Sequence, residues 1–406
     1  MLHNILTILL AGGVGSRLHP LTRDRAKPAV PFGGKYRIID FTLANCLHSG
    51  MHRVLVLTQY KSHSLHKHLR DGWSIFNPEL GEYITPVPPQ MRKGETWYSG
   101  TADAIYQNLF LVERANADTI LILSGDHIYR MDYAAMLKFH NHQKADVTIA
   151  CMKVGCSEAG HFGIISIDGN QRITAFAEKP GIPETIPGDT EQCLASMGIY
   201  IFSKQLLLDT LEADHGKADS GHDFGNDILP ELIQNHRVCA YRFGGTAGRV
   251  SPDNYWRDVG TIDSFYEANM DLLKPAPSLN LYQDDWPIRT YQSQPPPART
   301  VPGESGSEGI SINSIISGGV VIAGGSVQHS ILFPRVYVGD ESVVRDSILF
   351  ERVHAGDRVR LRNCIIDKGV QVPTGETIGL DTEKDRARFT ISDNGIVVVP
   401  KNYRFD

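Results

Sequence analysis

The chain has 406 residues and no apolar run near the roughly 18 residues that a bilayer requires, which excludes a membrane-spanning helix. It has no excess of basic charge: 40 Lys and Arg stand against 46 Asp and Glu, a net charge of −6. A general attraction to nucleic acid or anionic membrane is thereby excluded, and any phosphate ligand must be held by local basic residues. Cysteine is scarce and scattered, at 46, 151, 156, 193, 239 and 364, with no zinc-knuckle spacing. These six read as small buried hydrophobes in a reducing cytoplasm. The start, MLHNILTILLAGG, lacks a basic segment before its apolar run and reads as a first strand, not a secretory signal. Two familiar glycine signatures are also missing. No Gly-Lys-Ser/Thr closes a P-loop, and Leu18 stands where a dinucleotide fingerprint needs its third glycine.

What is present suits two domains: 41% of residues are apolar, enough for substantial cores, and 21% are charged. Up to about residue 270 strand-like runs at 5–10, 54–58, 119–123, 147–151 and 198–202 alternate with helical patterns at 38–48, 102–114, 133–143 and 204–212. This alternation predicts βαβ units on a mainly parallel, Rossmann-like sheet, with ligands at the carboxyl ends of the strands. Residues 274–309 are rich in proline and read as a connector, partly packed because Leu279, Leu281, Trp286 and Ile288 are too apolar for a free linker. From 310 to 406 aliphatic triplets recur, with steps of six at Ile315, Val321 and Val327 and at Val353, Val359 and Ile365. This predicts a hexapeptide-repeat β-helix, an element suited to oligomerisation, after a first domain over 1–273.

The segment Leu9 to Gly34, LLAGGVGSRLHPLTRDRAKPAVPFGG, carries the chemistry. A strand breaks into Gly12, Gly13 and Gly15, whose backbone N–H groups can approach phosphate oxygens, and Arg17 and Lys27 add fixed positive charge. Asp126, in Ser124-Gly125-Asp126-His127, follows the predicted strand at 119–123. A carboxylate there can bind a divalent cation, and Mg²⁺ bound with substrate phosphates calls for a second acid, for which Asp258 in Tyr255-Trp256-Arg257-Asp258-Val259-Gly260 is the candidate. The histidines of Tyr60–His68 read as a solvated helix face with no carboxylate to complete a metal site, and Arg345, Arg352, Arg358, Arg360 and Arg362 as solvated charges.

The string GGxGxRLxPLTxxxxKPxxP resembles the signature of sugar-1-phosphate nucleotidyltransferases, and RAKPAVPFGG, YWRDVG and WPIRTY resemble the ADP-glucose pyrophosphorylases of bacterial glycogen synthesis. The resemblance covers nearly the whole chain. It implies a left-handed parallel β-helix for the second domain, a cytoplasmic homo-oligomer, by resemblance a tetramer, and transfer of AMP from ATP to glucose 1-phosphate with Mg²⁺ on Asp126 and Asp258. It implies catalytic roles for Arg17, Lys27 and Asp126, nucleotide contacts from the three glycines, Tyr98 and Gly100, and sugar-phosphate contacts from Tyr98, Gly163, Glu178, Lys179 and Ser196. The alternatives are a relative using UTP or dTTP and a non-catalytic regulatory subunit. The resemblance further implies small-molecule allosteric effectors. Bisphosphate-activated relatives carry lysine and histidine where Asp24 and Pro31 stand, and arginine at Val14, so a weak or altered response to sugar bisphosphates is expected.

Overall fold

The computed structural model describes residues 4–90, 97–244, 249–250 and 254–405. Its first part is built on strands β1 (Ile5–Ala11), β2 (Pro31–Phe32), β3 (Tyr36–Arg37), β4 (Arg53–Thr58), β5 (Tyr83–Val87), β6 (Thr119–Ser124), β7 (His127–Tyr129), β8 (Val147–Gly155), β9 (Gly163–Ile167), β10 (Ile173–Glu178), β11 (Gln192–Ser203), β12 (Val238–Arg242) and β13 (Trp256–Asp258). Helices α1 (Ile38–His48), α2 (His63–Trp73), α3 (Thr101–Tyr106), α4 (Leu109–Arg114), α5 (Tyr133–Gln143), α6 (Lys204–His215), α7 (Leu229–Asn235) and α8 (Ile262–Met270) lie between them. Nine strands form one sheet with the path β10-β9-β11-β6-β1-β4-β5; β8 joins it at β11, and β12 pairs with β8.

β1 reads as an unbroken aliphatic run because it is central, parallel to β4 and β6, and covered on both faces. Leu9, Leu121 and Leu123 face one core; Leu6, Ile8, Ile120 and Ile122 face the other. The sheet is parallel through β6, β1, β4 and β5, but β11 runs antiparallel to β6, β8 and β9. That reversal carries the beginning of β11 to the carboxyl end of β6. The helical pattern at 102–114 is split into α3 and α4. Buried Asn108 at the break donates its side-chain amide to Ala104 O at 2.9 Å, a bond that competes with the helical ladder.

The later strands form a parallel β-helix of three sheets, two of five strands and one of six. Pairings such as Val321↔Tyr337 and Tyr337↔His354 step one coil at a time, and the first rung, Arg299–Val301, lies within the proline-rich stretch. Val327, Val353 and Val359 fill the interior, whereas Val320 and Ile322, not Val321, do so near the first coils. Ile315 and Ile365 do not face inward. The six-stranded sheet is buried on both sides. Leu332, Leu349 and Ile366 fill the prism, while Ile331, Ile348 and Ile365 share a core with Phe32, Tyr36 and Phe265 of the first part. Phe350 seals this seam edge-on to Phe265 and Phe333, with ring centroids 6.4 and 5.0 Å away.

The connector is a strap, with Leu279, Trp286 and Ile288 buried. Trp286 donates Nε1–H to Asn45 Oδ1 at 3.0 Å, and Thr290 donates Oγ1–H to Asp40 Oδ2 at 2.6 Å. Asp40, fully buried on α1, also accepts from the Arg37 amide, His68 Nε2 and Trp73 Nε1 at 2.8, 2.6 and 2.9 Å. The histidine-rich helix is therefore not a solvated face throughout. His68 points inward to a carboxylate that is far away in sequence, and His66 bonds Thr58 at 2.9 Å. Asp40→Ala would leave four donors without their acceptor, those of His68 and Trp73 buried, a loss of about 3 kcal/mol or more. A thermal melt of the variant is expected to show a clearly lowered midpoint, and an unchanged midpoint would refute this role.

Candidate active site

The parallel pairing of β1 and β6 sets Leu10 beside Ser124, so the glycine turn and the Ser124-Gly125-Asp126 turn leave the sheet side by side. β13 lies antiparallel on β7 with Asp258 opposite His127, which brings the second acid to the first. Lys27 comes from the 3₁₀ turn Lys27–Ala29, and its Nζ lies 2.9 Å from Asp126 Oδ2 and 2.9 Å from Asp258 Oδ1. Gly15 makes this approach feasible. Its φ of +63° is a left-handed turn, and a side chain there would meet Lys27 Cβ at 3.0 Å. Arg17 is exposed and reaches the same place, since a Cβ on Gly260 would lie 3.1 Å from its Nη2.

Burial acts against the Lys27 charge, but Asp126 and Asp258 outweigh it and raise its pKa above the ordinary lysine value. Burial also acts against the Asp126 charge; Lys27, His127 and the Ser124 hydroxyl overcome it and hold the carboxyl far below the usual range. Both groups are charged at neutral pH. Asp126, His127 and Asp258 offer ligand atoms all within 4.8 Å of one another. The two carboxylates are hard oxygen donors, and the His127 imidazole stands beside them with its Nε2 3.4 Å from Asp126 Oδ1. These residues fit a divalent cation that takes its remaining oxygens from phosphate and water.

A second group lies along β9, β10 and β11. Lys179 Nζ pairs with Glu178 Oε1 at 2.9 Å, and the Lys179 amide donates to Phe162 O at 3.0 Å. Glu178 Oε2 turns toward Gly163 and Gly225, where built Cβ atoms would lie 2.9 and 2.8 Å from it. The Ser196 hydroxyl accepts from the Gly198 amide at 3.3 Å, and Gly198 faces His127. Trp256 joins the two groups, its ring 4.7 Å from His127 and 5.6 Å from Phe162. A third group is tied to the glycine turn by Gln59. Its Cβ abuts Gly12, and its Oε1 accepts the Tyr98 amide at 3.2 Å. Gly13 faces open space. Gly100 packs against the His222 carbonyl.

The fold thus gathers Arg17, Lys27, Asp126 and Asp258 in one cluster, with Gly12, Gly13 and Gly15 at its rim. Glu178, Lys179, Gly163 and Ser196 form a neighbouring wall without direct contact to Lys27. Sequence reasoning missed His127, Gln59, Trp256 and Gly225 as members of the site. His127 was recoverable from the SGDH string, since it follows the metal-candidate acid directly, whereas Gln59 and Gly225 carry no local signal.

The nucleotidyl transferase family model matches residues 6–275, and the GlmU-like C-terminal hexapeptide model matches residues 296–399. The chain is 60% identical over 404 residues to glucose-1-phosphate adenylyltransferase 2 of Vibrio cholerae, covering 100% of this chain and 99% of that protein. It is 64% identical to the protein of the same name from Vibrio vulnificus strain YJ016, covering 100% of both chains. Against the glucose-1-phosphate adenylyltransferase of Methylococcus capsulatus it is 49% identical over 394 residues, covering 97% of this chain and 92% of that protein. With a family model over most of its first part and relatives of 60% and 64% identity along its whole length, this chain belongs to the nucleotidyl transferase family, among the glucose-1-phosphate adenylyltransferases.

Proposed function

We propose that the chain transfers AMP from ATP to α-D-glucose 1-phosphate, giving ADP-glucose and pyrophosphate for α-1,4-glucan synthesis. The observation that carries this reading is Lys27 bridging Asp126 and Asp258 beside an open glycine turn. A phosphate oxygen of the sugar phosphate attacks the α-phosphorus of ATP, a new O–P bond forms, and pyrophosphate departs on the opposite side. The nucleophile is already an anion, so no general base is required. Asp126 and Asp258, with His127 beside them, hold Mg²⁺, which when bound neutralises phosphate charge. Lys27 and Arg17 direct positive charge at the departing pyrophosphate, and the Gly12–Gly15 backbone cradles it. Lys179 leaves Glu178 to take the sugar phosphate; Glu178, with Ser196 and the Gly163 backbone, then faces the hexose. Tyr98, Gln59 and Gly100 shape the nucleotide side.

The organisation that goes with this reading is a catalytic domain over 1–273, a connector from 274, and a β-helix that begins earlier than 310, at its first rung Arg299–Val301. The protein acts as a cytoplasmic homo-oligomer, a tetramer. Its effectors are small anions bound between the two domains. Arg25 pairs with Asp367 at 2.9 Å and leaves its buried Nη1 without a partner, beside Arg37 and Lys368. Asp24, exposed and paired with Arg23 at 3.5 Å, opposes a second phosphate at this edge.

Asp126→Asn is expected to lower kcat by about 10²–10³ with ATP, glucose 1-phosphate and Mg²⁺. Near-normal turnover would overturn the metal assignment. In parallel pyrophosphate-release assays ATP is expected to support turnover and UTP and dTTP to fail; the reverse would retain the fold and change the substrate. Burial, with the repulsion of Arg37 and Arg25, pulls Lys368 down to about 8. Its charge is nearly complete well below that pH and lost well above it, so if inorganic phosphate is an effector bound at this edge, its effect on activity should weaken as pH rises through about 8. A phosphate response flat from pH 7 to about 9 would remove Lys368 from the effector site.

A further inference from the structure

Outside the residues so far given a role, two thiol side chains stand in contact. Cys156 opens the 3₁₀ turn Cys156–His161 that follows β8, and Cys193 is the second residue of β11. β8 and β11 are antiparallel neighbours, with Gly155 opposite Gln192 and Val154 opposite Cys193. The Cys156 amide continues the ladder, donating to Glu191 O at 3.0 Å. This register sets the two cysteines diagonally across the ladder on one face of the sheet. Their sulfurs lie 2.7 Å apart although 37 positions separate them in sequence. A bond of about 2.05 Å then needs only a small side-chain rotation. Among the described residues no other cysteine has a sulfur neighbour.

The surroundings give the two sulfurs different tasks. Cys193 is fully buried with Val154, Ala159, Ile164 and Ala195, and burial pushes its thiol up to about 11. Cys156 is half-buried, so it is the sulfur that a small oxidant reaches from solvent.

We propose that Cys156 and Cys193 are a reversible dithiol–disulfide site that responds to hydroperoxides. The Cys156 sulfur attacks one oxygen of hydrogen peroxide and the O–O bond breaks, giving a sulfenic acid at Cys156 and one water. The Cys193 sulfur then attacks the Cys156 sulfur. The S–S bond forms, the S–O bond breaks, and the leaving hydroxide takes the Cys193 proton as a second water. Two thiols give up two electrons and two protons, and one peroxide becomes two waters. A dithiol reductant reverses the change by thiol–disulfide exchange. The ring so closed contains β9 and β10, so oxidation ties down the hairpin that ends in Glu178 and Lys179.

The test uses the full chain, reduced and then exposed to hydrogen peroxide, denatured, alkylated with iodoacetamide and digested for mass spectrometry. The expected result is that two of the six cysteines escape alkylation, that one peptide pair is joined through Cys156 and Cys193, and that dithiothreitol restores both thiols. In Cys156→Ser no link should form and Cys193 should remain alkylated. In Cys193→Ser, Cys156 should proceed to sulfinic acid for want of a partner. The proposal is overturned if wild type keeps all its thiols, if Cys156 over-oxidises without linking, or if the link joins other cysteines or two chains. The wild-type and Cys156→Ser arms decide the matter even if the buried Cys193→Ser substitution prevents folding.

Discussion

Two carboxylates brought within a few ångströms repel each other, and this cleft assembles only because Lys27 stands between them. Burying one ammonium is costly, but with Asp126 on one side and Asp258 on the other the desolvation is more than offset, as the raised Lys27 pKa records. The pairing links three stretches of chain: the turn after the glycines, the end of β6 and the short strand β13. Each segment then meets a further demand. Gly15 must keep its left-handed turn so that Lys27 can reach inward, and β13 must keep its register on β7 so that Asp258 lies opposite His127. The residues that would bind phosphate are thereby prearranged before any phosphate arrives, which is how a site with little acid–base work lowers a barrier.

Much of this was legible because it is local. The glycine turn, the SGDH turn and the YWRDVG string lie within short stretches whose residue types express their chemistry. The strands at β1, β4 and β6 and the helices α1 and α5 were legible for the same reason, since periodicity and continuous aliphatic runs are short-range signals. What escaped depends on distant partners. Nothing near His68 announces Asp40, which lies on the preceding helix and takes donors from its own N-cap, from α2 and from the connector. The break between α3 and α4 follows from Asn108 satisfying Ala104 and Tyr98, a contact that no helical pattern encodes. The reversal of β11, which follows the β9–β10 hairpin directly, is invisible to a reading built on βαβ units alone.

The hexapeptide region gives the sharpest case. The spacing of six identified the architecture, yet it placed Ile315, Val321 and Ile365 inside the prism, where Val320, Ile322 and Ile366 are found instead. Consecutive aliphatics such as Ile331-Leu332 and Ile348-Leu349 indicate a sheet covered on both sides, because alternate residues in a strand face opposite ways. A pattern of single inward positions cannot express that second cover.

The doubly covered sheet bears on how such a chain can be recombined. A hexapeptide prism with three solvated walls is an interchangeable cassette, ready for grafting onto another enzyme. Here one wall is shared, and cutting the chain in the connector would bare Ile331, Phe333, Ile348, Phe350 and Ile365 together as one contiguous oily stripe. Transplanting either half from a relative therefore means exchanging a matched set of residues on both sides of the seam. Phe265 packs edge-on against both Phe32 and Phe350, so a change of size at one of the three must be absorbed by the others.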